Sequence, residues 1–217
     1  MNEKTSGVPA LNRLACMQNI RGDAPNRELA RELAETKDRA GIKAIAQNLF
    51  NKDKRIQSDC IKVLYEAGYI EPEIIAPYVK DFLSMLKSRN NRLVWGSMIA
   101  LAQVASIKAG EISKNLDMVY GAMEEGSVIT VDNGIKVLSI VASKSEEYNK
   151  SIFEYLIRHL KTCRSKEVGQ HAESIFVAVS PQNRDAFLSV LKEREDSLSS
   201  AQLKRVKKLC NAALRLK

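Results

Sequence analysis

Apolar residues recur along the chain with a long, regular period. Between Leu64 and Ile175 a large aliphatic residue stands every 37 residues, and apolar or small residues flank it at offsets of −3, +3 and +4. These offsets place the side chains on one stripe of an α-helix. Fifteen residues before each aliphatic anchor stands the last residue of another apolar stripe with helical spacing. The pattern predicts four pairs of helices, with the anchors Leu64, Leu101, Leu138 and Ile175.

Each pair is expected to form a hairpin around a short polar turn, as in NKDK at 51–54 and SRNN at 88–91. We call the helix before the turn the first helix and the helix that carries the anchor the second helix. A shorter and more polar fifth pair, with Phe187 on its first helix and Leu209 on its second, is typical of the terminal unit of a repeat array. Residues 27–37 are predicted to form an opening helix. We expect a loosely held tail or lead-in helix over 1–25 and one repeat domain over 26–217.

A single hairpin cannot bury its own apolar stripe, so the hairpins must stack on one another. The fixed period resembles HEAT and armadillo repeats over roughly residues 38–214. The resemblance implies an all-α solenoid of about five HEAT-like hairpins with a right-handed superhelical path. It also implies that the second helices line a concave face. A fold of this kind does not specify a function.

Composition limits the class of protein. The 217 residues are 45% hydrophobic and 28% charged, which is usual for a soluble, core-forming chain. The longest apolar-rich stretch, 93–107, is too short and too interrupted to span a bilayer, and the N-terminus lacks the apolar run of a secretory signal. The four cysteines are scattered, without a CxxC pair or a histidine identified at metal-ligand spacing. We therefore expect reduced thiols in a cytoplasmic protein, with no metal, cofactor or membrane contact.

The charge of the chain favours nucleic acid or an acidic protein surface as a partner, in that order. The net charge is +8, the pI is about 9.3, and basic residues concentrate towards the C-terminus, above all in KRVKK at 204–208. Several basic residues fall on the second helices, where they would line the concave groove or simply form a solvated face. Trp95 would either shield the seam between hairpins or serve as an exposed anchor. The candidate binding residues are Arg55, Lys62, Arg92, Trp95, Lys136, Lys166, Lys204 and Lys207.

Signatures of common enzymes are absent from the sequence: there is no phosphate loop, dinucleotide loop, HExxH or GxSxG. His159 and His171 lie on the two helices of the fourth pair and are close enough in register to meet, but a structural role is the simpler interpretation. The sequence thus favours a non-enzymatic scaffold that holds a protein segment or another acidic partner.

Thr130-Val131-Asp132 resembles the end of a catalytic motif in DNA glycosylases that are built of HEAT-like repeats and excise alkylated bases. The resemblance implies that Asp132 would stabilise the cationic sugar as the base departs. Val128 stands where that family has Trp, and Ile129 stands where it has Asp. The alternative function is therefore a DNA-binding protein related to these enzymes, with weak or no glycosylase activity. It differs from a peptide scaffold in its steep dependence on salt.

Overall fold

The computed structural model describes residues 9–216, and every regular element in that range is a helix. Thirteen α-helices follow one another, with short 3₁₀ turns between some of them. Their bounds are α1 (Ala24–Glu35), α2 (Arg39–Gln47), α3 (Lys54–Ile70), α4 (Pro72–Ile75), α5 (Val79–Met85), α6 (Asn91–Val104), α7 (Ala109–Ser113), α8 (Leu116–Glu124), α9 (Val128–Ala142), α10 (Glu146–Thr162), α11 (Ser165–Ile175), α12 (Arg184–Arg194) and α13 (Ser200–Ala213).

These helices form the opening helix α1 and the five predicted hairpins. The second helices are α3, α6, α9, α11 and α13, and each follows its first helix after a polar turn. The four anchors of the 37-residue period are all 0% exposed, which confirms that the period marks buried positions. The all-α helical-repeat fold predicted from the sequence is confirmed.

The polar turns end in residues that cap the second helices. The Asp53 carboxylate accepts a hydrogen bond from the Arg55 N–H at 2.8 Å, and the Asn90 side chain does the same for the Arg92 N–H at 3.2 Å. Ser199 and Gln202 form a reciprocal capping box at the start of α13. Such caps satisfy backbone donors that the first turn of a helix leaves unpaired, so these turn sequences set where α3, α6 and α13 begin.

Two first helices are interrupted. In the second hairpin, α4 ends at Ile75 and a 3₁₀ turn with Pro77 separates it from α5, because proline cannot supply the backbone N–H that a continuous helix needs. In the third hairpin, Asn115 separates α7 from α8, and its side chain donates to the Glu111 carbonyl at 2.8 Å. The repeat therefore keeps its buried positions even where the first helix is broken.

The chain divides into two compact units, Met1–Val131 and Asp132–Lys217, with the boundary inside α9. In the first unit, α1 packs on α3 and α3 packs on α6. At the α3–α6 contact, Gly96 comes so close to Ile61 that a methyl group added at Gly96 would lie 2.7 Å from Ile61 Cγ1. Glycine is needed there because it allows the two helices to approach closely.

The segment before α1 is packed against the first unit from Pro9 onward. Leu14 is fully buried, and the Cys16 N–H donates to the Asp59 carboxylate at 2.8 Å. Arg13 binds Glu32 of α1 through two hydrogen bonds of 2.9 and 2.7 Å. Residues 1–8 of the predicted tail lie outside the described residues. The division into 1–25 and one repeat domain over 26–217 stays a prediction.

In the second unit, α10 packs on α12 and α11 packs on α13. Two asparagines join the hairpins. The Asn183 side chain donates to the Ala178 carbonyl at 3.0 Å and to Asn149 Oδ1 at 2.9 Å, and it accepts from the Ser180 N–H at 2.7 Å. Asn149 also donates to the Ala178 carbonyl, at 2.8 Å. This network satisfies a carbonyl at the end of a second helix and fixes the start of the next hairpin.

Between residues 9 and 216, no helix is both long enough and apolar enough to cross a bilayer.

Candidate functional site

The predicted basic residues of the first unit occupy three different environments. Arg55 is exposed and pairs with the neighbouring Asp53 at 2.8 Å. Arg92 is exposed, and no carboxylate in the described part of the chain forms an ion pair with it. Lys62 is only 17% exposed and lies between Asp23 at 3.0 Å and Glu66 at 2.6 Å. Arg92 is therefore available to a partner, whereas Lys62 is committed to holding α1 against α3.

The ammonium of Lys62 is stabilised in its charged form. Burial opposes the charge, but hydrogen bonds to Glu66, Tyr65 and Asp23 outweigh burial and raise the pKa of Lys62 above its ordinary value. The ammonium also lies 4.9 Å from the centre of the Tyr65 ring, at cation–π distance. Sequence spacing alone grouped Lys62 with the free groove residues, because one of its two carboxylate partners, Asp23 at the N-cap of α1, lies far away in the sequence.

Trp95 is half-buried at the contact between α3 and α6. Its ring lies 6.0 Å from the ring of Tyr65, tilted by 54°, and Tyr65 is itself buried. Aromatic pairs with this separation and tilt contribute favourable packing. The geometry favours a role for Trp95 in shielding the seam between two hairpins, and it leaves part of the indole accessible.

The second unit presents positive charge without neutralising partners. Its second helices carry four predicted lysines, all exposed and none in an ion pair with any residue of the described range: Lys136, Lys166, Lys204 and Lys207. The carboxylates of these same helices are already paired with basic side chains: Asp132 with His171, Glu167 with Arg164 and Glu173 with Arg205. The uncompensated charge on these helices is thus positive.

His171, His159 and Asp132 form a hydrogen-bonded chain within the second unit. His171 is 0% exposed, and its Nε2 lies 2.8 Å from Asp132 Oδ1. Its Nδ1 lies 2.9 Å from His159 Nε2, and the two ring centres are 4.9 Å apart. Since a carboxylate only accepts, His171 donates from Nε2 to Asp132, and in the neutral tautomer this leaves an acceptor lone pair at Nδ1. His159 then donates from Nε2 to that lone pair.

The protonation state of His159 follows from its surroundings. Burial and the neighbouring His171 lower the pKa of His159 to about 4, so its ring is neutral at pH 7. Cys163 stands one helical turn after His159, at the end of α10, and burial raises the pKa of its thiol. One ligand atom from each of His159, Cys163 and His171 lies within 4.8 Å of the other two.

This grouping corrects one statement made from the sequence. A histidine does stand at metal-ligand spacing from a cysteine, because His159 precedes Cys163 by four residues on one helix. His171 joins them because the turn between α10 and α11 is short. The contact between Asp132 and His171 also has a signal in the sequence. The two residues are 39 positions apart, which is one repeat of 37 plus two, and this places them at similar heights on adjacent second helices.

Asp132 is 23% exposed, and its carboxylate is held by a buried histidine. Its proposed glycosylase-like role stays a prediction, as does the role of the lysines as a binding surface.

A groove in the second unit is lined by other residues. It has a volume of about 790 Å³ and lies between α10 and α12, where Phe153, Ile157, Val177 and Ala186 line it. None of the residues predicted from the sequence lines this groove. Its position on the first helices reflects the gap between two hairpins. We therefore take the charged second helices, where predicted side chains and exposed charge coincide, as the candidate site.

No family model and no curated protein matches the chain. Solved structures do. A designed armadillo repeat protein in complex with the peptide (KR)4 superposes with a TM-score of 0.72 at 14% identity, over 96% of this chain and 98% of that one. One engineered protein superposes with a TM-score of 0.61 at 19% identity, over 95% of this chain and 97% of its own. A second engineered protein superposes with a TM-score of 0.64 at 16% identity, over 99% of both chains. At these identities the similarity shows the fold alone, which is an all-α helical-repeat fold like that of the designed armadillo repeat protein.

Proposed function

We propose that this protein is a non-enzymatic binding scaffold whose second helices hold an acidic protein segment. The observation that carries the proposal is the charge of the second unit. Four exposed lysines on successive second helices have no ion-pair partner within the described range, while Glu167 and Glu173 of those helices are paired with arginines and Asp132 is hydrogen-bonded to His171. An acidic segment would supply the missing negative charges.

The arrangement suits an extended ligand because the lysines are distributed over three helices. Lys204 and Lys207 are three residues apart on α13 and therefore lie on the same side of that helix. Lys136 and Lys207 occupy the same offset, two residues before the anchors Leu138 and Leu209. A segment that crosses the second helices would meet a basic side chain in one repeat after another. Complementary charge of this kind directs encounter and register more than it increases affinity.

The peptide complex of the designed armadillo protein supports the same mode of binding with the opposite charge. That protein was solved with a strictly basic peptide, (KR)4, on a fold that superposes on this chain. Here the exposed charge is basic, and the expected ligand is rich in Asp and Glu. The four free cysteines fit a reducing compartment such as the cytoplasm.

The direct test is fluorescence anisotropy with three labelled probes: an alternating Glu-Asp octapeptide, the (KR)4 octapeptide and a mixed-sequence DNA duplex. We expect the acidic peptide to bind and the basic peptide not to bind. The variant Lys204→Glu/Lys207→Glu should weaken binding of the acidic peptide by about tenfold, since two exposed charge contacts are worth up to about 1 kcal/mol each.

A matched control is Lys144→Glu/Lys192→Glu, which makes the same change in net charge at exposed lysines outside the second helices. It should bind the acidic peptide almost as well as the wild type. Equal weakening by both double variants would mean that only net charge matters, and the proposed surface would be abandoned. Tighter binding of the duplex, with log K falling steeply against log salt, would instead support the DNA-binding alternative.

A further inference from the structure

The cluster at the end of α10 has the composition of a transition-metal site. His159 and Cys163 occupy successive turns on one side of α10, and His171 faces them from α11. Two imidazoles and one thiolate are the ligands that Zn²⁺ prefers, and three protein ligands leave a fourth tetrahedral position open to water. The four lysines of the proposed peptide surface play no part in this arrangement.

The distances are close to those that such a site requires. No two of the three ligand atoms are more than 4.8 Å apart, and the two ring nitrogens are 2.9 Å apart. In a tetrahedral zinc site, bonds of about 2.0 to 2.3 Å place neighbouring ligand atoms roughly 3.3 to 3.8 Å apart. The rings must separate slightly and the thiol must move by about 1 Å at most. Cys163 is free to do so because it caps α10 and has extended backbone angles rather than helical ones.

The hydrogen bond from His171 to Asp132 is a feature expected of a metal ligand. Histidines that bind metals usually donate their other ring N–H to a carboxylate, which fixes the tautomer and makes the ligating nitrogen more basic. Here Asp132 accepts from His171 Nε2 at 2.8 Å, so the lone pair at Nδ1 is directed towards His159 and Cys163. This arrangement is preformed around a side chain that is 0% exposed.

From this geometry we infer that His159 Nε2, His171 Nδ1 and Cys163 Sγ bind a Zn²⁺ ion, with Asp132 as a positioning residue. On binding, the Cys163 thiol releases its proton to solvent and the thiolate donates an electron pair to the metal. The His159 proton moves from Nε2 to Nδ1 through solvent, which frees Nε2 for the metal. His159 and Cys163 are partly exposed and provide the path of entry.

Burial raises the pKa of the Cys163 thiol, Arg194 opposes this effect and Glu167 adds to it, so the zinc ion itself must displace the thiol proton. The Arg194 guanidinium donates to the Cys163 carbonyl at 2.8 Å and interacts favourably with the thiolate. The Glu167 carboxylate acts electrostatically on both His159 and Cys163 and would attract a cation to the site. The bound ion would tie the end of α10 to the middle of α11 across their short turn.

The test uses the full chain, reduced with a phosphine and freed of metal by a chelator. Zinc is titrated in competition with a chromophoric indicator, and Co²⁺ is added in a separate experiment as a spectroscopic probe. We expect one zinc ion per chain with micromolar or tighter affinity. Co²⁺ should produce the intense visible bands of a tetrahedral site together with a near-ultraviolet thiolate-to-cobalt band.

Three variants assign the ligands. Cys163→Ser should abolish the thiolate-to-cobalt band and tight zinc binding, and His159→Gln should weaken zinc binding while keeping the thiolate band. Asp132→Asn should lower the zinc affinity by about 10- to 100-fold, as is usual for the partner of a ligating histidine. Cys210→Ser is the matched control, because Cys210 is a half-buried thiol of the same unit outside the cluster.

The wild-type Co²⁺ spectrum tests the proposed zinc site even if a variant does not fold. An octahedral spectrum without a thiolate band would overturn the assignment. Equal zinc affinity for Cys163→Ser and Cys210→Ser would overturn it as well. Because none of these measurements involves a peptide ligand, failure of the zinc site would leave the proposed function intact.

Discussion

Replacing Gly96 by alanine tests the closest approach between two second helices. A methyl group at this position would lie 2.7 Å from Cγ1 and 3.1 Å from Cγ2 of Ile61. Contacts this short are repulsive. Ile61 is 1% exposed, so it has no solvent to move into, and the strain must be shared by α3 and α6.

Two opposing effects determine the magnitude. Overpacking a well-filled core costs about 1 to 3 kcal/mol. Alanine in a helix interior is more favourable than glycine by about 1 kcal/mol. Gly121 separates the two effects, because it lies inside α8 and a methyl group there would meet nothing within 4 Å. Gly121→Ala should therefore stabilise the protein by about 1 kcal/mol, and Gly96→Ala should be less stable than Gly121→Ala by about 1 to 3 kcal/mol.

The assay is equilibrium urea unfolding of the wild type and both variants, followed by far-ultraviolet circular dichroism. Midpoints report stability when the three proteins have the same dependence of unfolding free energy on urea concentration. A double-mutant cycle with Ile61→Ala adds a second check. In that background the methyl at residue 96 has room, so the cost of Gly96→Ala should disappear. If Gly96→Ala is as stable as Gly121→Ala in the wild-type background, the helices can separate without penalty and the argument from close packing is wrong.

Three further predictions concern polar groups. Ser97 Oγ is buried and has no hydrogen-bond partner in the described part of the chain. Ser97→Ala should therefore raise the free energy of unfolding by about 1 kcal/mol. A lower free energy in urea unfolding would mean that the hydroxyl is hydrogen-bonded. Asn183→Ala should cost about 1 to 3 kcal/mol in the same assay, because it removes the acceptor of the Ser180 N–H and both hydrogen bonds that Asn183 donates, whereas exposed Gln182→Ala should be neutral. The Arg13 guanidinium holds the pKa of Glu32 below its ordinary 4.5, so the pair stabilises the fold above pH 4.5 and this contribution is lost as pH falls through the lowered pKa. As the pH is lowered, the urea midpoint of Glu32→Gln should fall less steeply than that of the wild type. An identical pH dependence of the two midpoints would contradict the pairing.

Much of the fold could be predicted because the 37-residue period acts on every hairpin alike. An anchor such as Leu101 is buried by its own helix stripe and by the neighbouring hairpin, and both depend on the repeat. The interruptions of the first helices were harder to place, because they depend on a single local residue. Pro77, for example, lies in a 3₁₀ turn that separates α4 from α5.

The candidate site was less predictable because charge depends on neighbours. Lys62 and Lys207 occupy equivalent offsets from their anchors, Leu64 and Leu209, yet only Lys62 meets a carboxylate from α1. The approach of His159 to His171 was predicted, but the contact of His171 with Asp132 was missed for a similar reason. His171 touches Asp132 from the previous repeat, and a search confined to one hairpin does not compare positions about one period apart. The same comparison finds Glu173 and Arg205 on α11 and α13.

The opening helix also has a consequence for self-assembly. One face of α1 is buried against the first unit, while its outer face presents four exposed charged residues: Arg27, Glu28, Arg31 and Glu35. A second molecule that stacked end to end on α1 would have to strip water from all four, at a cost of several kcal/mol for each charge left unpaired. Repeat arrays with apolar ends can polymerise head to tail into open filaments. At this end, α1 opposes such growth by presenting a charged surface to any incoming copy.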